Sequence, residues 1–222
     1  MGYLTYYLGW MALAYVTRHP VLLVGAVVVF LVRPWLPDPV VWLRTMGRIR
    51  ALRDQIAANP ANVTARRDLA RMYLERLRPR KALFFLDQAR ERHPDDAELL
   101  YLTGLARFRS GDAEGALAPL VRAVELDPRV LFGEPYLVAG DALAKLDRHE
   151  EAADAYDRYV SSNSSSVQGH LKLAKARSRA GDAEGAKRAL RESLDTFSQV
   201  PGYKKRRELG WWMRAQMARL WM

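Results

Sequence analysis

Four histidines, His19, His93, His149 and His170, are the side chains in this sequence best able to bind a metal or move a proton near neutral pH. No two lie three or four residues apart, the spacing that places a metal-binding pair on one helical face. Packed or solvated histidine is the expectation for all four. Asp95-Asp96 and Glu150-Glu151 have the chemistry for acid–base work, but neighbours on a helix point in different directions, and acids at a helix start serve the helix dipole. Cysteine is absent, which removes thiolate nucleophiles, thiolate metal sites and disulfides. There is no G-x-x-x-x-G-K-[ST] phosphate loop, no G-x-S-x-G elbow and no H-E-x-x-H helix. Asn62 and Asn163 open N-x-[ST] triplets, a pattern common by chance. The reading is a non-catalytic chain with no cofactor and no metal.

A repeat is more informative than any of these side chains. Gly-Asp-Ala-Glu-Gly-Ala occurs at 111–116 and again at 181–186. Alanines recur at Ala82, Ala116, Ala152 and Ala186, in steps of 34, 36 and 34 residues. Upstream of each is a small residue: Ala70, Gly104, Gly140 and Ala174. Four residues beyond each alanine is a large one: Leu86, Leu120, Tyr156 and Leu190. Small residues where helices cross, with large ones filling the gap beside them, are what stacked helical hairpins require. Gly111-Asp112 and Gly181-Asp182 read as turns between helices, and Pro94 and Pro128 close the first two units.

In these residues the chain resembles the tetratricopeptide repeat family, whose period is about 34 residues. The resemblance covers units 63–96, 97–130, 131–166 and 167–200. The second is the best match, with Gly104, Gly111-Asp112, Ala116, Leu120, Ala123 and Glu125-Leu126-Asp127-Pro128. The last two drift: Ser164 and Ser198 replace the closing proline, and Tyr159 and Ser193 the third small residue. Ile49 to Pro60 looks like the second helix of a preceding half unit within a linker over 37–62. The resemblance implies that the first helix of each unit lines a concave face. It assigns to that face Arg67, Arg71, Tyr101, Leu105, Phe108, Arg109, Asp141, Lys145, Lys172, Lys175 and Arg179. Cations at both ends with apolar residues between them suit an extended acidic and apolar peptide. No asparagine is expected in the groove, which argues against a carboxylate clamp of the kind some family members use.

The net charge of +10 is unevenly placed. Residues 1–58 carry +4 and residues 202–222 carry +5, so the repeat region is nearly neutral. That balance argues against nucleic acid as the partner and points to a membrane surface near the flanks. Val21 to Val32 is wholly apolar, with Pro20 before it and Pro34, Pro37 and Pro39 after it. A transmembrane helix is expected over 20–36, preceded by an interfacial aromatic segment over 1–19 that holds Tyr3, Tyr6, Tyr7, Trp10 and Tyr15. Two short helices turning at Arg18 are the rival arrangement; a cleaved signal peptide fits poorly because a basic start is missing. Arg33, Arg44, Arg48, Arg50 and Arg53 follow the span and only Arg18 precedes it, which places the repeats in the cytoplasm.

Residues 201–222 predict a basic, aromatic helix with Leu209, Met213, Met217 and Leu220 on one face. Its expected task is to cap the last unit; Trp211, Trp212 and Trp221 beside the cations also suit an anionic membrane surface or a partner. The expected fold is all-α, a tetratricopeptide-repeat helical-hairpin solenoid preceded by a transmembrane helix. The expected function is a membrane-anchored scaffold that binds an acidic protein or peptide. A permanent subunit of a membrane or envelope-assembly complex is the alternative, and nucleic-acid binding a distant third.

Overall fold

A computed structural model of the chain describes residues 10–11 and 39–220. The interfacial segment expected over 1–19, apart from Trp10 and Met11, and the spanning helix expected over 20–36 lie outside those residues. Among the described residues no helix is long and apolar enough to cross a membrane. The chain divides into two units, 1–48 and 49–222. Helix α1 spans Pro39–Ala58.

The second unit is a series of helical hairpins. They are α2 (Val63–Glu75) with α3 (Pro79–Arg90), α4 (Ala97–Arg109) with α5 (Ala113–Leu126), α6 (Glu134–Lys145) with α7 (His149–Ser162), and α8 (Val167–Arg179) with α9 (Ala183–Gln199). A final helix, α10 (Gly202–Ala218), packs on α8 and α9. The first helices α2, α4 and α6 pack in succession, while no comparable contact joins their second helices, so the array curves with the first helices inside.

The anchor positions do what their sizes require. Ala82, Ala116, Ala152 and Ala186 are fully buried, as are Ala70 and Ala174. A Cβ on Gly104 would lie 2.5 Å from Leu120 Cγ, and one on Gly140 would lie 2.6 Å from the Tyr156 ring. Helix α5 keeps Pro119 in its interior and is still continuous. Two core clusters result. One runs from Ile49 and Leu52 of α1 through α2 to α5 to Val138, and the other from Leu137 to Ala218.

Helix starts follow local chemistry. Asn62, Asp96, Ser166 and the paired Asp112 and Asp182 accept backbone N–H groups of the first turn with their side chains. The repeated hexapeptide is explained by this. Gly111 and Gly181 take left-handed backbone (φ +101° and +87°), and the next aspartate caps the Gly115 or Gly185 N–H at 2.8 Å. In the other two hairpins the same turn is made by Leu77 (φ 55°) and Asp147 (φ 60°). Left-handed backbone costs a residue with a Cβ roughly 1–2 kcal/mol, least for Asp and Asn.

Leu77 is half exposed, so Leu77→Gly removes strain and little packing. It is expected to stabilise the chain by roughly 1 kcal/mol in urea unfolding, and Asp147→Gly by less. Gly140→Ala is expected to destabilise by about 1–3 kcal/mol, because the Tyr156 ring is held from its far end and cannot withdraw.

Candidate functional site

The inner surface carries a cleft of about 520 Å³. Its floor is Tyr101, Leu102 and Leu105 of α4; Arg71, Leu74 and Glu75 of α2 form one side, with Arg109 at the end of α4. The other side is Leu131 and Phe132, in a short 3₁₀ turn over Val130–Gly133, with Glu134 and Asn163. Leu131, Phe132 and Gly133 all take left-handed backbone, and Phe132 is 79% exposed. An aromatic ring held out on strained backbone at the lip of a cleft is poised for contact. A smaller cleft of about 130 Å³ lies further along, lined by Tyr156, Lys172, Lys175, Ala176 and Arg179 with His149 and Ala144.

Of the eleven residues assigned to this face, Asp141 is the one anion, and the other ten divide into three groups. Tyr101, Leu105 and Phe108 are the apolar members, and Tyr101 and Leu105 share the larger cleft. Burial pushes the Tyr101 hydroxyl up to about 12, so it is a neutral donor at any physiological pH. Arg67, Arg71 and Lys172 are occupied. Arg67 lies 3.0 Å from Glu98, Arg71 pairs with the same carboxylate, and Lys172 Nζ holds both oxygens of Asp141 at 2.6 Å. Arg109, Lys145, Lys175 and Arg179 are exposed. Arg109 donates to the Leu74 carbonyl at 3.1 Å, and the Lys145 ammonium lies 5.9 Å from the Phe108 ring.

The cations therefore do two jobs. Glu98 stands on α4 and its arginines on α2, so their pairing ties the first hairpin to the second. Asp141 stands on α6 and Lys172 on α8, so theirs ties the third to the fourth. The Tyr156 hydroxyl donates to Asp141 Oδ1 at 2.7 Å; burial first, then the carboxylate, raises its pKa far above the ordinary tyrosine value. At the far end the Lys175 ammonium, exposed in part, is depressed chiefly by partial desolvation and then by Arg214, Arg179 and Lys172. That region is short of anions, and an acidic group entering it would be drawn in. Glu134, by the larger cleft, is raised by burial, which Lys172 and Arg207 partly offset.

Seven lining residues of the larger cleft were not assigned from the sequence: Leu131 and Phe132, with Leu74, Glu75, Leu102, Glu134 and Asn163. The signal for the first two is the 36-residue step between Ala116 and Ala152, which leaves Leu-Phe-Gly between Pro128 and the next helix. Asn163 caps the end of α7 and reaches the cleft from there, so a groove asparagine is present although none stands on a first helix. Its amide donates to the Tyr159 hydroxyl at 3.2 Å. His170 is buried, 3.0 Å from the Ser164 carbonyl and 3.3 Å from Glu192, a packed histidine. Among the described residues no cluster of His, Asp or Glu has the arrangement of a metal site.

Asp141→Asn leaves the half-buried Lys172 ammonium without its counter-charge and is expected to cost about 2–3 kcal/mol in chemical unfolding. Tyr156→Phe loses one hydrogen bond and keeps the ion pair, at about 1–2 kcal/mol. Adding Lys172→Met to Asp141→Asn is expected to restore part of the loss, which a double-mutant cycle reads directly.

Comparison with known proteins places this geometry. The family profile of subunit 3 of the anaphase-promoting complex, or cyclosome (ANAPC3), matches residues 75–159. No curated protein matches the chain. Among solved structures, a crystal structure of MamA superposes with a TM-score of 0.63 at 23% identity, over 70% of this chain and 86% of that one. MamA from Desulfovibrio magneticus RS-1 gives 0.56 at 18%, over 70% and 93%. YrrB, described as a TPR protein with an unusual peptide-binding site, gives 0.59 at 19%, over 70% and 81%. The fold is that of an all-α tetratricopeptide-repeat solenoid.

Proposed function

We propose that this chain is a non-catalytic adaptor, tethered to a membrane by its amino-terminal segment, that takes an extended segment of a protein partner into its inner groove. The larger cleft carries this reading: an apolar floor, the exposed Phe132 ring and the exposed Arg109 side chain at one place on the concave face. The peptide-binding site named for YrrB supports it by likeness of fold. The partner segment offers an apolar side chain to Tyr101, Leu105 and Phe132, and carboxylates to Lys175 and Arg179. Arg67, Arg71 and Lys172 help by shaping the groove, since each is already paired with a carboxylate.

The tether rests on the uncharged run Val21–Val32, and the cytoplasmic side on the excess of arginines after it. The full chain is expected to stay with membranes through high salt and alkaline carbonate; release by carbonate alone removes the span. A cytoplasm-dependent reporter fused after Met222 is expected to be active, and the reverse pattern moves the repeats to the other side.

A photo-crosslinking side chain at position 132 is expected to capture a partner that one at exposed Phe84, on the second helix α3, does not. Equal capture at both positions, or capture at 84 alone, sinks the groove. With that partner in hand, Lys175→Glu with Arg179→Glu is expected to weaken binding and flatten its salt dependence while helicity by circular dichroism is retained.

A further inference from the structure

Helix α10 covers the end of the array, but not with the face its sequence suggests. Ala215 and Ala218 are buried against α8 and α9, and Trp211 is half-buried in the same core. Trp212 stacks on Phe197 of α9, with ring centres 5.1 Å apart. The Trp211 ring also meets Arg214 at 4.6 Å and Lys172 at 5.8 Å. Trp211 and Trp212 are thus engaged with the array. The stripe Leu209, Met213, Met217 and Leu220 is on the opposite side, exposed at 43%, 51%, 63% and 80%.

The charges around that stripe narrow what can cover it. At about 100° per residue, Lys205 and Arg219 fall along one edge, Arg207 and Arg214 along the other, and Arg206 beside the stripe in the first turn. All five are exposed. The one acid of the helix, Glu208, is buried on the inner side, so the outward face of α10 has no carboxylate. A second copy laid against it would bring two rows of cations together. An anionic bilayer supplies both things the face lacks: acyl chains for the stripe, and phosphate-level negative charge for the cations on either side. Unbranched methionines adapt to such an irregular surface, and arginine and lysine stems let their heads rise to the headgroups.

We propose that α10 lies along an anionic lipid surface through Leu209, Met213, Met217 and Leu220, with Lys205, Arg206, Arg207, Arg214 and Arg219 at the headgroups. The apolar stripe is separate from the groove, and its contact with lipid needs no groove ligand, although Arg214 also stands near Lys175 and Arg207 near Glu134.

The absence of cysteine allows a local test in the full chain. Met213→Cys carries a nitroxide, and Arg92→Cys, on the array, serves as control. Each protein is reconstituted into vesicles with or without phosphatidylserine. The label at 213 is expected to gain oxygen access and lose access to a water-soluble nickel chelate, only in the anionic vesicles. The control label stays aqueous. Reversing Lys205, Arg206 and Arg219 to Glu is expected to abolish the shift at 213, with helicity unchanged. A label that remains aqueous overturns the proposal, as does a shift equal in both vesicle types. Spin–spin broadening at 213 in mild detergent, before any lipid is added, also overturns it by showing that a second copy covers the stripe.

Discussion

The tight crossing inside each hairpin governs the rest of the structure. A first helix can approach its partner closely only where it carries Gly or Ala, and the gap beside that residue must then be filled from the second helix. Leu86, Leu120 and Leu190 fill it with hydrocarbon alone. Tyr156 fills it with a ring whose hydroxyl passes through to the inner face and meets Asp141. That one change converts a packing position into an anchor for polar chemistry. Asp141, held from below, then fixes Lys172 of the next hairpin. Core packing and groove electrostatics are thereby joined in the third and fourth units.

Two carboxylates decide which cations of the groove remain available. Glu98 takes Arg67 and Arg71, and Asp141 takes Lys172. In a solenoid each unit touches only its neighbours, so ion pairs between successive first helices hold the curvature of the array. They leave Arg109 and Lys145 exposed along the face and Lys175, Arg179 and Arg214 gathered at one end. A ligand reading this groove would meet an apolar stretch with paired arginines first and a stretch of gathered cations after it.

The turn between the second and third units is the one irregular feature of the inner surface. Its extra residues put Leu131 and Phe132 on left-handed backbone, a cost that buried neighbours must offset. Leu131 packs against the first core cluster and supplies part of that offset. Phe132 supplies none, being exposed. The turn therefore makes sense as a device that walls the cleft, whereas a regular loop of the length found after Pro94 would leave it open.

The sequence by itself determined the period, the helical hairpins and the core. These depend on local size and on spacing, and Ala82, Ala116, Ala152 and Ala186 with their partners are buried where the spacing put them. The groove positions on first helices came from the family resemblance, and the first helices are the ones that pack in succession. What the sequence did not determine is which of those side chains are free. Arg67 and Glu98 are 31 residues apart, as are Asp141 and Lys172, and only stacking of the units brings them within a few ångströms. Tertiary structure likewise decided the orientation of α10. Both of its faces carry apolar residues, and the small one wins the packing because Ala215 and Ala218 allow close approach while Leu209, Met213 and Met217 do not. The cleft wall was the hardest feature to read, since left-handed backbone at Leu131 and Phe132 follows from closing the stack and not from any preference of leucine or phenylalanine.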